Sequence, residues 1–287
     1  GYFYGGTFYG GDLSIPSGGG GTIFKIDTTG NFTVLRTLSA TDGYRINREP
    51  LLLPDGNLMF STYYNDVPGQ GGGSIITITP DGSQFKRLVN YGSAPFGKNP
   101  EGTMAGLPDG KLAGVARYGG SENKGVVFEL DHDGYSLKLL HDFNSVSSSA
   151  DAQQPSQGVM LGSDGALYGA TSPSGSYPGY VYRLGSDSTG YSELATLDQL
   201  VTPGYGDIQS RLIELPSGEL VGTSFYGGPN LGGYIYKLNK NGSNFSRIYE
   251  FTTATVGLYP AAIMQATDGR LYATCYQGGD LSAYIGG

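Results

Sequence analysis

A six-fold internal repeat constrains this chain more than any other feature of its sequence. A short apolar stretch runs into a glycine-centred turn and out into a second strand at Gly1-Tyr2-Phe3-Tyr4, Asp55-Gly56-Asn57-Leu58, Asp109-Gly110-Lys111-Leu112, Asp164-Gly165-Ala166-Leu167, Ser217-Gly218-Glu219-Leu220 and Asp268-Gly269-Arg270-Leu271. The turn glycines stand 51 to 55 residues apart, so all 287 residues form one tandem array. Periods of roughly 40 to 50 residues with several strands per unit are the spacing of propeller blades.

Each repeat reads as four short strands. In the second these are Leu51 to Leu53, Leu58 to Tyr64, Ser74 to Thr79 and Phe85 to Tyr91, all rich in β-branched and aromatic residues. Pro54-Asp55-Gly56 joins the first pair and Pro80-Asp81-Gly82 the last, and both are tight-turn signals because glycine accepts a positive φ. The expected fold is all-β, a single propeller domain over residues 1–287. Its blades are four-stranded and antiparallel, built from six sequence repeats of about 53 residues and closing with five or six blades. The long connections fall between strands two and three, and again between strand four and the next strand one, as at Ser39 to Glu49, Ser93 to Thr103 and Ser145 to Gln157. Topology puts both sets on one face, opposite the tight turns, and a ligand site is expected there.

The balance of 17 basic against 25 acidic residues gives a net charge of −8 with no basic cluster, which argues against nucleic acid and anionic membrane as partners. No run of 18 apolar residues exists, so no membrane insertion by a helix is expected. The chain opens on glycine without an apolar leader, which reads as a mature or trimmed product. The single Cys275 aligns with Thr7, Thr62, Ala116, Thr171 and Ser224, a slot for a small packed side chain.

The motif Asp164-Gly165-Ala166-Leu167-Tyr168-Gly169-Ala170-Thr171, with Gly125-Val126-Val127-Phe128-Glu129-Leu130, resembles the GloVer-type tandem repeat of bacterial secreted and surface-anchored proteins. The resemblance covers essentially the whole chain and implies a repeat propeller, extracellular or at the cell surface. It carries no assigned activity. The strand plan is also similar to quinoprotein-type propeller repeats, but those typically carry a Trp in each blade and this chain has none, so no cofactor is assigned.

Catalytic constellations are sparse, and neither catalytic nor metal-ligating residues are assigned. His132 and His141 read as a turn residue and a strand-end residue. Asp131-His132-Asp133-Gly134 resembles the start of a calcium loop but lacks the remaining ligands. Glu49, Asp66, Glu101, Glu122, Asp207 and Asp280 fall on the loop face, where paired carboxylates for glycoside hydrolysis or a solvated surface would each account for them. The aromatic pattern is more regular. Tyr9, Tyr64, Tyr118 and Tyr226 stand eight residues after the turn glycine, and Phe8, Tyr63, Phe225 and Tyr276 seven. Such rings could stack on sugars or seal one blade against the next. Candidate ligand-binding residues are therefore Tyr64, Asn65, Tyr118, Asn123, Tyr226 and Asn230. Sequons at Asn31, Asn241 and Asn244 are candidate N-glycosylation sites beside the third-to-fourth-strand hairpins.

The functional expectation is a non-enzymatic extracellular scaffold for recognition or display, binding a glycan or protein through its loop face. One alternative is a structural subunit of a surface layer or filament, assembled through terminal strands. It rests on residues 270–287 repeating residues 2–24, as in the shared Gly-Gly-Asp-Leu-Ser at Gly10 to Ser14 and Gly278 to Ser282. A polysaccharide hydrolase or lyase is the second alternative.

Overall fold

The structure, a computed structural model, describes residues 1–15, 18–46, 48–65, 72–92, 97–134, 136–143, 153–172, 178–197, 210–252 and 257–278. Among them no helix forms, and the chain divides into two compact units, Gly1–Asn144 and Ser145–Gly287.

In the first unit β1 (Tyr2–Gly6), β2 (Thr22–Asp27) and β3 (Phe32–Thr37) form one sheet in that order. In the next, β4 (Tyr44–Ile46) and β5 (Leu51–Leu52) both pair with β6 (Leu58–Tyr64), which continues through β7 (Ser74–Ile78) to β8 (Phe85–Asn90). β9 (Lys98–Gly106), β10 (Leu112–Tyr118), β11 (Val126–Leu130) and β12 (Leu137–Asp142) complete a four-stranded meander. The second unit repeats the plan with β13 (Pro155–Leu161), β14 (Ala166–Thr171), β15 (Tyr180–Gly185) and β16 (Ser192–Thr196). It continues with β17 (Ile213–Glu214), β18 (Leu220–Ser224), β19 (Tyr234–Leu238) and β20 (Ser246–Glu250), then the pair β21 (Leu258–Gln265) and β22 (Leu271–Gln277). Within each blade neighbouring strands run antiparallel. These are propeller blades, and the fold is the all-β propeller expected of the repeat.

Burial grades across the two blades β13–β16 and β17–β20. The second strands β14 and β18 are buried along their whole length, whereas the fourth strands β16 and β20 are largely exposed. These second strands therefore tolerate only apolar or small residues on both faces, while β1 and β22, the second strands of the terminal repeats, have no buried residue.

One cross-strand pair recurs at the centre of the blades. Gly5 faces Phe24, Gly114 faces Phe128, Gly169 faces Tyr182 and Gly222 faces Tyr236. The ring of the third strand lies over the glycine, so that a Cβ on Gly114 would stand 2.6 Å from the Phe128 Cζ and one on Gly5 2.6 Å from the Phe24 Cζ. In the second repeat the pair is exchanged, with Phe60 on the second strand and Ile76 on the third. Bulk is kept constant while the side that supplies it changes.

The first strands begin earlier than the sequence suggests. The stretches 39–49 and 93–103 read as loop, yet β4 starts at Tyr44 and β9 at Lys98, and β13 starts at Pro155 within the expected loop 145–157. These strand starts lack the period-2 alternation that betrays a strand, because a backbone kink interrupts them. Arg45, Asn99, Gln154 and Tyr259 all take positive φ, at 65°, 55°, 55° and 62°. Residues 279–287 of the terminal repeat, together with Asp66 and Asp207, lie outside the described residues.

Candidate functional site

The site is built at the ends of the second strands, where a hydroxyl sets the geometry in four of the six repeats, at Thr7, Thr62, Thr171 and Ser224. Thr7, Thr62 and Thr171 accept a hydrogen bond from the first N–H of the third strand, at Thr22 (2.8 Å), Ser74 (2.9 Å) and Tyr180 (3.0 Å). Thr7, Thr62 and Ser224 also donate to the carbonyl two residues on, at Tyr9 (2.9 Å), Tyr64 (3.2 Å) and Tyr226 (2.7 Å). The tyrosine that ends the strand is thereby held by its backbone. The same slot must be small, since a Cβ on Gly43, Gly97 or Gly257, in the first-strand segment of the same blade, would strike Thr62, Ala116 or Cys275. Cys275 is thus a partly buried packing residue, and burial pushes its thiol pKa up, away from reactivity.

The left-handed residues come next. Arg45 precedes Ile46, Asn99 precedes Pro100, Gln154 precedes Pro155 and Tyr259 precedes Pro260, and these followers pair with Thr62, Ala116, Thr171 and Cys275. All four therefore occupy one repeat position. Three of them turn their N–H onto a glycine carbonyl of the preceding repeat: Arg45 to Gly20 (2.7 Å), Asn99 to Gly72 (2.9 Å) and Tyr259 to Gly232 (2.8 Å). The kink stitches consecutive repeats together, and it lays the side chain against the aromatic pair of the repeat before.

Three side chains use this placement differently. Asn99 donates from its amide to the Tyr63 carbonyl at 2.7 Å. Tyr259 stacks on Phe225 with ring centroids 5.0 Å apart and 19° between planes, and lies 4.9 Å from the Tyr226 ring. Arg45 brings its guanidinium to 5.6 Å from Phe8, 5.4 Å from Tyr9, 5.8 Å from Tyr44 and 5.1 Å from Tyr64, within cation–π range of all four rings. Tyr44 and Tyr64 stack at 5.5 Å beneath it, and Tyr63 meets Tyr64 edge-on at 4.8 Å. Tyr9 stays 58% exposed.

Beside this cluster Arg117 Nη1 lies 3.5 Å from Glu101 Oε1, with Glu101 buried. The Tyr63 phenol is pushed up to about 12, first by burial and then by the Glu101 charge. Arg117 also approaches the Tyr118 ring, at 6.0 Å.

The sequence candidates fall into distinct roles. Tyr64 is half-buried within the Arg45 cluster, and Tyr118 lies in the same unit beside Arg117. Tyr226, in the other unit, is half-buried against Phe225 and Tyr259, while Tyr276 remains 65% exposed. Asn65 is buried, and its amide donates to the carbonyls of Gly73 (2.8 Å) and Tyr91 (2.5 Å) and to Asn90 Oδ1 (2.6 Å). Those donors are committed to tying three strands together and are not presented to a ligand. Asn123, at φ 56°, accepts the Gly119 N–H at 3.0 Å and closes its own loop, and Asn230 is exposed in a turn.

The remaining candidates lie elsewhere. His132 is exposed in the β11–β12 hairpin, and His141 lies edge-on to Phe143 at 4.7 Å. Among the described residues no group of three or more His, Cys, Asp or Glu could hold a metal ion. Asn31, Asn241 and Asn244 are exposed, and the Asn31 amide donates to Asp27 at 2.9 Å.

Tyr44, Arg45 and Arg117 in the first unit and Tyr259 in the second escaped sequence reasoning, and Glu101 was singled out only as one of the acids of the loop face. A signal existed in the glycine and proline that bracket two residues, in Gly97-Lys98-Asn99-Pro100 and Gly257-Leu258-Tyr259-Pro260.

A chain of repeated four-stranded blades with a kinked first strand and an aromatic pair closing the second is a tandem-repeat propeller. The family profile described as the Gloeobacter/Verrucomicrobia repeat matches residues 1–149 and 49–285, and the chain belongs to that family. Comparison with curated proteins finds no match. Similar solved structures include a nidogen/laminin complex (15% identity, 90% of this chain and 83% of that one, TM-score 0.60). A putative TolB from Agrobacterium tumefaciens is also similar (13% identity, 94% and 88%, TM-score 0.53). So is XC5397 from Xanthomonas campestris, a gluconolactonase (15% identity, 90% and 76%, TM-score 0.56). At these identities the likeness concerns the fold alone.

Proposed function

We propose that this protein is a non-enzymatic extracellular or cell-surface scaffold that recognises a carbohydrate at the ends of its second strands. The observation that carries this reading is the aromatic pair held by a hydroxyl-capped backbone at Phe8-Tyr9, Tyr63-Tyr64 and Phe225-Tyr226, with ring surface left open at Tyr9 and, where Cys275 replaces the hydroxyl, at Tyr276. Tyrosine offers a sugar an apolar face and a polar rim at low entropic cost. The fold does not choose between binding and catalysis, since one similar structure is a nidogen/laminin complex and another a gluconolactonase. The side chains favour binding. Glu101 is ion-paired with Arg117, and the Tyr63 phenol is held near 12, far from the range of a proton donor or acceptor at neutral pH.

A glycan-array screen of the wild type beside Tyr9→Ala, Tyr64→Ala and Tyr276→Ala tests the reading. Binding by the wild type that falls by about tenfold in at least one variant is the expected result, as loss of a stacking ring would give. Absence of binding to any glycan by the wild type defeats it.

A further inference from the structure

We infer that this chain binds a second copy of itself head to tail, the exposed face of β21–β22 in one copy covering the exposed face of β1–β3 in the next. The inference stands apart from the carbohydrate reading and uses none of the rings proposed to meet a sugar.

The joints inside the chain define the two surfaces. Within the second unit Met160, Tyr168 and Val181 of one blade share a buried cluster with Leu220, Tyr236 and Leu238 of the next, and Phe245 packs against it. Within the first unit Tyr4 and Ile23 pack in the same way with Leu58, Phe60, Ile76 and Ile78. A blade thus has a leading face, built on pairs such as Leu220 with Leu238 and Gly222 with Tyr236, and a trailing face, built on pairs such as Met160 with Tyr168. Each of these joints sets the trailing face of one blade on the leading face of the next.

The blade β1–β3 spends its trailing face on the second repeat and leaves its leading face open. Phe3 pairs with Ile26 and Gly5 with Phe24, the counterparts of Leu220 with Leu238 and Gly222 with Tyr236. The Phe24 and Phe32 rings lie 5.0 Å apart with 30° between planes, as those of Tyr236 and Phe245 lie 5.5 Å and 28° apart. Leu220, Tyr236 and Leu238 are fully buried, yet Phe3 is 66% and Phe32 56% exposed.

The pair β21–β22 is the converse case. Its leading face, with Ile263, Leu271 and Cys275, packs with Val221 and Phe251 of the blade before. On its trailing face Met264 pairs with Tyr272 as Met160 does with Tyr168. The Tyr272 hydroxyl donates to Asp268 at 2.9 Å, as the Tyr168 hydroxyl does to Asp164 at 2.8 Å. Met160 and Tyr168 are buried, whereas Met264 is 57% and Tyr272 50% exposed. Both halves of a joint that the chain already makes therefore stand open, and covering such apolar surface is favourable. A second copy supplies the missing half to each. The contact joins unlike surfaces, so a pair of copies keeps one free face of each kind for further copies.

Sedimentation velocity over a concentration series reads the association. The wild type should shift from monomer to larger species as concentration rises. Phe3→Glu with Phe32→Glu and, separately, Met264→Glu with Tyr272→Glu should each stay monomeric with unchanged circular dichroism, because these side chains are open in the folded chain. An equimolar mixture of the two double variants, each keeping one intact face, should form a heterodimer and nothing larger. Phe3→Ser and Tyr272→Ser should each weaken association by about tenfold or more, the loss expected when one large apolar side chain is no longer buried, and they carry the test should a double variant lose its fold.

A wild type that stays monomeric throughout overturns the inference, and closure of both faces within one chain would give that result. A double variant that still associates alone overturns it too, since the contact then joins like faces or lies elsewhere. So does a mixture of the two that fails to pair.

Discussion

Arg45 and Tyr259 stand at the same repeat position with nearly the same backbone, φ 65° and 62°, each donating its N–H to a glycine of the preceding repeat. Their surroundings are aromatic in both cases. Around Tyr259 the arrangement is a closed packing cluster, with Phe225 stacked on one side and Tyr226 tilted against it. Around Arg45 the same frame encloses a guanidinium within cation–π range of four rings. The repeat thus fixes a backbone device, and the residue placed on it decides whether a ring or a cation lies among the aromatic side chains.

The largest effect should come from the glycines that receive the two N–H groups. A Cβ on Gly20 would stand 2.6 Å from the Leu38 carbonyl oxygen, and one on Gly232 would collide with the Phe251 carbonyl. Gly20→Ala and Gly232→Ala should each cost about 2 to 3 kcal/mol by urea denaturation, because backbone cannot yield as a side chain can. A loss in one and none in the other would show that the two kinks are not supported alike. The side chains themselves should then separate the regions. Tyr259→Gly loses a stacked ring and its burial against about 1 kcal/mol of relieved strain, for a net destabilisation of about 1 to 2 kcal/mol. Arg45→Gly should be neutral or slightly stabilising, and an equal loss in both variants would make Arg45 a packing residue like its counterpart. The smallest effect concerns the blade centres. Tyr236 buries a hydroxyl with no hydrogen-bond partner among the described residues, and burial raises its pKa far above the usual phenol range, whereas the equivalent rings in the first unit are Phe24 and Phe128. Tyr236→Phe should stabilise the protein by up to about 1 kcal/mol, read as a higher melting temperature.

The blades were legible because their signals are local. Gly56, Gly110, Gly165, Gly218 and Gly269 sit in the expected turns at φ between 77° and 85°, and β6 runs over the expected residues. The starts of the first strands were not legible, since their kink answers to a carbonyl in the preceding repeat and leaves no alternation behind. Alignment on the turn glycine likewise finds the aromatic pairs but not their neighbours. Tyr64 reads as an open ring in one repeat and becomes a half-buried one only when Tyr44 and Arg45 close over it. Asn65 reads as a polar partner for a ligand, and only the meeting of three strand segments shows its amide to be spent.

The exchanged pair at Phe60 and Ile76 has a consequence for how such a chain can diversify. A crossover between genes that falls at a blade boundary transfers a glycine with its ring, or a phenylalanine with its isoleucine, and yields a chain whose sheets still fit. A crossover inside a blade, between the second strand and the third, joins Gly to Ile or Phe to Tyr, leaving a void in one product and excess volume in the other. The stretch of chain that can be inherited freely is therefore the whole repeat, and new surface residues such as Arg45 can travel between arrays only together with the sheet that carries them.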